Sequence, residues 1–320
     1  MFYRKLISKQ KIIIFDGVPG GGKDLLGVIL TGIPKIDQYV LQPNVDQVAA
    51  LYSIKKIDLN TAVYLLRTNH NLFFYDNLMF RKTNFRESDL TSIKKHPRFK
   101  EFKKRMDIND KKVFRQFKKK IISLYCTHLT ANLSKPYFAA FKKKLIFIKL
   151  LRSPLNLGMI KHIAKWTIKW EKSDCRDGYI KFYDKSSKKS YPLFFRKNYK
   201  EFLKANKYER AILMLDSHNK NNFKLRTYQK EYGSKVMIVP FENLLSNPLK
   251  YSKIISKKIK SRLDNIFFQN LKKTNVPRKI DLNNDNKIAI NFLKKKVSNK
   301  YFKKIVKIND YYSKEILRNY

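Results

Sequence analysis

The chain predicts an α/β domain with a parallel sheet flanked by helices. Three observations carry that expectation. Short, continuous apolar runs recur at Ile12–Phe15, Leu145–Leu151 and Val236–Val239, as in strands buried on both faces. Segments of helical spacing separate them. A glycine-rich octet, Gly17-Val-Pro-Gly-Gly-Gly-Lys-Asp24, joins the first run to a second apolar run, Leu25–Leu30. That is a strand, a tight turn and the opening of a helix.

The octet holds four of the nine glycines among 320 residues, so the bend is not a chance of composition. A turn of this kind exposes main-chain N–H groups at the positive end of a helix dipole, which is a phosphate cradle. Gly17, Gly22 and Lys23 fit the pattern G-x-x-x-x-G-K-[ST], but Asp24 stands where a hydroxyl would ligate Mg²⁺. A carboxylate there repels phosphate as well as attracting metal. The bland alternative is a glycine turn that packs a helix on a sheet.

The first strand is expected at Lys11–Asp16, with a helix from Lys23. Asp46–Leu66 has helical spacing at Val48, Leu51, Ile54, Ala62, Leu65 and Leu66. Ser88–Lys120 reads as amphipathic helices with lysine-rich outer faces. Strands follow at Ile121–Cys126, ending on Thr127 and His128, and at Leu145–Leu151, ending on Arg152-Ser-Pro154. The next helix should turn Ile160, Ile163, Ala164, Thr167 and Ile168 inward, with Trp166 and Trp170 as core packing. Gly178–Phe194 reads as a hairpin around Lys-Ser-Ser-Lys-Lys. Helices are expected at Lys204–Leu215 and on to Tyr232, then a strand at Lys235–Val239, then helices to Tyr320. No repeat or linker divides the chain. One domain over 1–320 is expected, its core at about 11–260 and a helical segment at 261–320.

The chain carries 71 basic and 25 acidic residues, a formal net charge of +46. An anionic partner fits this balance. So does a coding bias toward Lys, Asn, Ile, Phe and Tyr on solvated faces. Cys126 and Cys175 give no disulfide framework, and the five histidines have no metal-ligand spacing. No run approaches the ~20 apolar residues of a membrane span. A soluble protein of a reduced, cytoplasmic compartment is the expectation, with no metal.

In a parallel sheet, ligands gather at the carboxyl ends of strands. Three such ends resemble sulfotransferases. The octet with Leu25 and Leu26 is similar to their G-V-P-[RK]-S-G-T-T-x-L loop. Ile148-Lys-Leu-Leu-Arg152-Ser-Pro154-Leu-Asn-Leu157 is similar to their R-[DN]-P-x-[DN] signature. Lys235-Val-Met-Ile-Val-Pro-Phe241-Glu-Asn-Leu-Leu-Ser-Asn-Pro248 is similar to K-V-x-x-V-x-Y-E-D-L-x-x-N-P. The set lies in the family's order across most of Lys11 to about Lys260. The departures are Gly20 for the basic residue, Lys23 and Asp24 for the Thr pair, Ser153 after the Arg, Ile160 for a Ser, and no C-terminal glycine-rich signature.

The resemblance implies a P-loop NTPase-like sulfotransferase fold and 3′-phosphoadenosine 5′-phosphosulfate as co-substrate. Pro19, Gly20, Gly21, Gly22, Lys23, Asp24 and Leu25 would hold the phosphosulfate end. Arg152 and Ser153 would hold the 3′-phosphate. Lys23 would ease departure of the phosphate leaving group without metal. The acceptor, a saccharide, lipid or small metabolite, needs a base. His128 at a strand end is the first candidate, His70 the second, and Asp24 a third. Ser153 either donates to phosphate or caps the following helix, and Glu242 suits a helix start. Phe80–Lys120 and the hairpin near Gly178 are candidate acceptor walls. Two other functions stay open: a P-loop kinase or NTPase using ATP-Mg²⁺, and a basic binder of nucleic acid or acidic membrane. The absence of any helix-turn-helix, zinc or RNA-binding signature disfavours nucleic acid.

Overall fold

A computed structural model describes residues 2–41, 43–128, 131–171, 178–220 and 222–320. The chain runs through β1 (Ile12–Gly17), α1 (Lys23–Thr31), β2 (Ile36–Leu41), α2 (Pro43–Ser53), α3 (Leu59–Leu78), α4 (Phe99–Lys103) and α5 (Asp110–Phe117). It continues through β3 (Ile122–His128), α6 (Lys135–Phe141), β4 (Leu145–Leu151), α7 (Leu157–Glu171), a hairpin of β5 (Lys181–Asp184) and β6 (Lys189–Pro192), α8 (Tyr199–Lys204), α9 (Lys207–Asn219) and α10 (Asn222–Tyr232). The last strand is β7 (Lys235–Pro240), followed by α11 (Phe241–Ser246), α12 (Pro248–Lys258), α13 (Asn265–Lys273), α14 (Leu282–Lys294) and α15 (Asn299–Tyr311).

Five strands form one parallel sheet in the order β2-β3-β1-β4-β7. All residues of β1 and β4 are buried, because helices cover both faces. Strand alternation sorts the core. Ile13, Phe15, Ile146 and Ile148 pack with α1, α12 and α13 on one face. Ile12, Ile14, Tyr125 and Phe147 pack with α2, α3 and α6 on the other. A further cluster joins α7, α9, α14 and α15 to the hairpin. After β3 the chain crosses β1 to reach β4, so the strand order reverses beside β1. That reversal opens a crevice at the carboxyl ends of β3, β1 and β4.

The parallel sheet, its flanking helices and the hairpin match the expectation. Four points differ. The sheet has a fifth strand, β2, at its edge. Its Ile-Asp-Gln-Tyr start hides the strand pattern, because Asp37 is buried against Arg105, with Nη1 3.2 Å from Oδ1 and each side chain 1% exposed. Arg105 comes from the lysine-rich segment at 88–120, which thereby supports the sheet edge. Arg98 of the same segment pairs with Glu101 and Asp264. Second, Ile168 faces outward, since α7 turns Ile163, Ala164, Thr167 and Trp170 inward. Third, Asn206 caps α9 reciprocally with Glu209, so the helix expected at Lys204–Leu215 starts at Lys207, and Lys204 ends α8. Fourth, Asn156, not Ser153, supplies the side-chain oxygen at the start of α7, accepting the Met159 N–H at 2.9 Å. Cys126 is buried in β3, and Cys175 lies outside the described residues. Among the described residues no helix is long and apolar enough to cross a membrane.

Candidate active site

The octet forms the turn between β1 and α1. Gly22 precedes α1 at φ +93°, a conformation that costs an L side chain strain, and a Cβ there would lie 2.1 Å from Cε2 of Phe241. Gly20 has φ +72° and lies against His162 of α7. The loop is thus pressed between α7 and Phe241, the first residue of α11. Gly22→Ala is expected to destabilise the fold by at least about 2 kcal/mol. Urea unfolding measures this. Gly158→Ala is the control, because its Cβ would meet only Asn156 Oδ1, at 3.5 Å.

Pro19, Gly20, Gly22, Lys23, Asp24, His128 and Arg152 line one cavity of about 590 Å³. Lys23 and Arg152, from neighbouring strand ends, therefore reach the same space. Lys23 is 6% exposed, and its Nζ donates to Gly17 O at 2.7 Å. Burial lowers its pKa, opposed by the charges of Asp16, Asp46 and Asp24 among others. Arg152 donates from Nη1 to Gly20 O at 2.9 Å and stacks over Phe241 at 4.6 Å. Its Nε is buried without a partner. That orphaned donor, beside a glycine cradle, fits an anionic ligand.

Arg152 also lines a second cavity of about 310 Å³, with Ser153, Arg278 and Lys279 and with the carboxylates of Glu242, Asp281 and Asp285. One arginine thus borders both spaces. Beneath it, Glu242 accepts the Ser153 N–H at 2.9 Å and the Tyr312 hydroxyl. Burial raises the Glu242 pKa. Glu242 sits in the first turn of α11, as expected, and in addition ties the segment after β4 to the C-terminal segment. Ser153 Oγ lies 3.4 Å from Asn309 Oδ1. Ser153 therefore belongs to the second cavity, as does none of the octet.

Not every expected residue converges. Among the described residues, Gly21 and Leu25 do not line the main cavity. The Gly21 N–H closes the turn on Val18 O at 3.1 Å, and Leu25 packs toward the sheet core. His70 is 2% exposed in α3, with Nδ1 2.6 Å from the Tyr125 hydroxyl, and stacks near Phe74. Burial lowers its pKa to about 3. It is a core histidine, away from the strand ends. Trp170 is fully buried, whereas Trp166 is half-buried and lines the cavity.

The sequence reading missed several residues that do converge. His162 and Trp166 face the loop from α7, with Trp166 Nε1 donating to His162 Nε2 at 3.0 Å. Tyr179 approaches from the hairpin side. Asp46, in the first turn of α2, is the most informative. Its Oδ2 accepts the His128 N–H at 3.1 Å, and its Oδ1 is buried without a partner. Burial, then the Asp16 charge, raises its pKa well above the usual carboxylate value, against the pull of the His128 N–H and Lys23. His128 keeps 23% of its side chain exposed, and its Nδ1 is 3.8 Å from Asp46 Oδ2. Burial and then Lys23 push its pKa well down, so the imidazole is neutral at pH 7. One signal for Asp46 was available: a lone carboxylate among Val45, Val48, Ala49 and Ala50. Arg278 and Lys279 had none among 71 basic residues.

No protein-family model and no curated protein matches the chain. Among solved structures it is similar to the sulfotransferase domain of a Synechococcus olefin synthase, at 12% identity over 98% of each chain, TM-score 0.41. It is similar to a sulfotransferase of Mycobacterium avium, at 11% identity over 90% of this chain and 78% of that one, TM-score 0.40. It is also similar to the sulfotransferase domain of the curacin biosynthetic pathway, at 12% identity over 86% and 80%, TM-score 0.34. These likenesses are distant, and the residue roles rest on the cavity itself.

Proposed function

We propose that the protein is a sulfotransferase, moving a sulfuryl group from 3′-phosphoadenosine 5′-phosphosulfate to a hydroxyl or amine acceptor. One observation carries the reading. Lys23 and Arg152 line one cavity, and Arg152 opens onto a second that holds Arg278 and Lys279. A ligand with an anionic group at each end suits Lys23 and Arg152, two cations that reach one cavity from neighbouring strand ends. The 5′ end lies on the Gly20–Asp24 turn. The 3′-phosphate lies at Arg152, with Arg278 and Lys279 beyond it. The three sequence segments that resemble sulfotransferases supply these same strand ends.

In this reading the acceptor oxygen attacks sulfur while the bond from sulfur to the phosphate oxygen breaks. Charge grows on that leaving oxygen, and Lys23 is placed to offset it. Asp46 takes the acceptor proton on its unpartnered Oδ1. Neutral His128 holds the acceptor by a hydrogen bond. Asp46 is the base in this reading because its Oδ1 has no partner and it lines the cavity beside His128. Turnover is lost as pH falls through the raised Asp46 value, so the acid limb sits above the ordinary carboxylate range. Asp46→Asn should remove that limb and lower turnover by ~10²-fold or more. A pH–rate profile unchanged in the variant excludes Asp46 as the base.

Calorimetry tests the donor. Adenosine 3′,5′-bisphosphate is expected to bind without Mg²⁺ and more tightly than ATP-Mg²⁺. The reverse order favours a kinase or NTPase, the reading that the Gly-x-x-x-x-Gly-Lys pattern supports and Asp24 opposes. Binding of RNA or anionic vesicles alone, indifferent to Lys23→Ala, supports the basic-binder reading.

A further inference from the structure

The main cavity continues away from the glycine loop. A narrow neck shares Asp46, His128, Gly178 and Tyr179 with it. That neck also shares Leu133, Leu193 and Phe194 with a third cavity of about 220 Å³. The three spaces thus lie in series beneath the hairpin, each sharing lining residues with the next. Apart from Gln47, the neck beyond Asp46 and His128 is apolar, including Ala50, Leu133, Ile180, Leu193 and Phe194. At the far end stand Arg196 and Lys197, both exposed. No carboxylate lines that far cavity among the described residues. The path is therefore polar at Asp46 and His128, apolar in the middle and cationic at its end.

We infer that the acceptor is an amphipathic molecule with a hydroxyl at one end, a slender apolar body and an anionic group at the other. The body excludes water from the neck along Leu133, Leu193 and Phe194. The anion meets Arg196 and Lys197, where two cations without a competing carboxylate favour it. The neck is narrow, about 20 Å³, which disfavours a saccharide ring. This rests on the sulfuryl-transfer reading for the chemistry at its inner end. There the acceptor O–S bond forms, the sulfur–phosphate oxygen bond breaks, and the hydroxyl proton passes to Asp46. The products are a sulfate ester and adenosine 3′,5′-bisphosphate.

The test is calorimetric and needs no turnover. ω-Hydroxylauric acid and its neutral diol analogue are titrated into the full chain, into Arg196→Ala/Lys197→Ala and into Leu133→Trp. The double variant changes exposed side chains only, and Leu133 is half-buried. The acid is expected to bind the parent and to lose about tenfold in affinity in the double variant. The diol should be indifferent to that change. Leu133→Trp should weaken both ligands. Failure of the acid to bind the parent overturns the proposal. So does an equal loss for acid and diol, or unchanged binding in either variant. A parallel titration with adenosine 3′,5′-bisphosphate separates the two readings. Its failure with the acid bound sinks sulfuryl transfer and leaves the path standing, and the opposite result sinks the path alone.

Discussion

Lys23→Ala is expected to lower turnover by roughly 10²–10³-fold while leaving donor affinity within about tenfold of the parent. The ammonium is nearly sealed from water and sits at the mouth of the strand–helix turn. In so dry a position a cation acts on developing charge far more strongly than in solution. Its three N–H donors leave two beyond the bond to Gly17 O. Arginine is a poor substitute, because its planar fork is larger and the slot is closed. Lys23→Arg is therefore expected to stay within tenfold of the alanine variant. The check is single-turnover transfer of labelled sulfate, with thermal unfolding to confirm the fold. A variant that transfers at the parental rate removes Lys23 from the mechanism.

Arg152→Ala is expected to weaken adenosine 3′,5′-bisphosphate by roughly 30- to 100-fold, the loss of one or two charge-assisted hydrogen bonds. Adenosine 5′-monophosphate, which lacks the 3′-phosphate, should bind the variant about as well as it binds the parent. The preference for the bisphosphate then collapses, and that ratio is the decisive quantity. Arg152→Lys keeps the charge but loses the stack on Phe241 and the second donor, so it should recover only part of the affinity. Circular dichroism should remain parental, since Phe241 keeps its contact with the glycine loop. An unchanged ratio in calorimetry would remove Arg152 from the 3′-phosphate site.

Much of the scaffold was legible because it is local. Ile12–Phe15, Leu145–Leu151 and Val236–Val239 announce buried strands by themselves, and Gly22 announces a backbone that few residues adopt. β2 was not legible. Its Asp37 reads as a loop residue until Arg105, 68 positions later, is seen to neutralise it. The site divides in the same way. Lys23, Arg152 and His128 stand at strand ends and could be found from the pattern of runs. His70 stood beside them as a candidate, yet the phase of α3 turns it into an aromatic core. Ser153 follows Arg152 directly, but its backbone meets Glu242 and its hydroxyl meets Asn309.

The amino-acid order alone determined a strand, a tight glycine turn and a helix, and the succession of strand ends at the carboxyl edge of the sheet. Those features depend on neighbours a few residues apart, where backbone sterics and apolar spacing act. Only the tertiary structure decided which side chains share the cavity. Asp46, His162, Trp166, Tyr179, Arg278 and Lys279 reach it or its neighbour through strand order, helix rotation and chain reversals. Those relations join residues tens to hundreds of positions apart, and close packing of the whole core sets them.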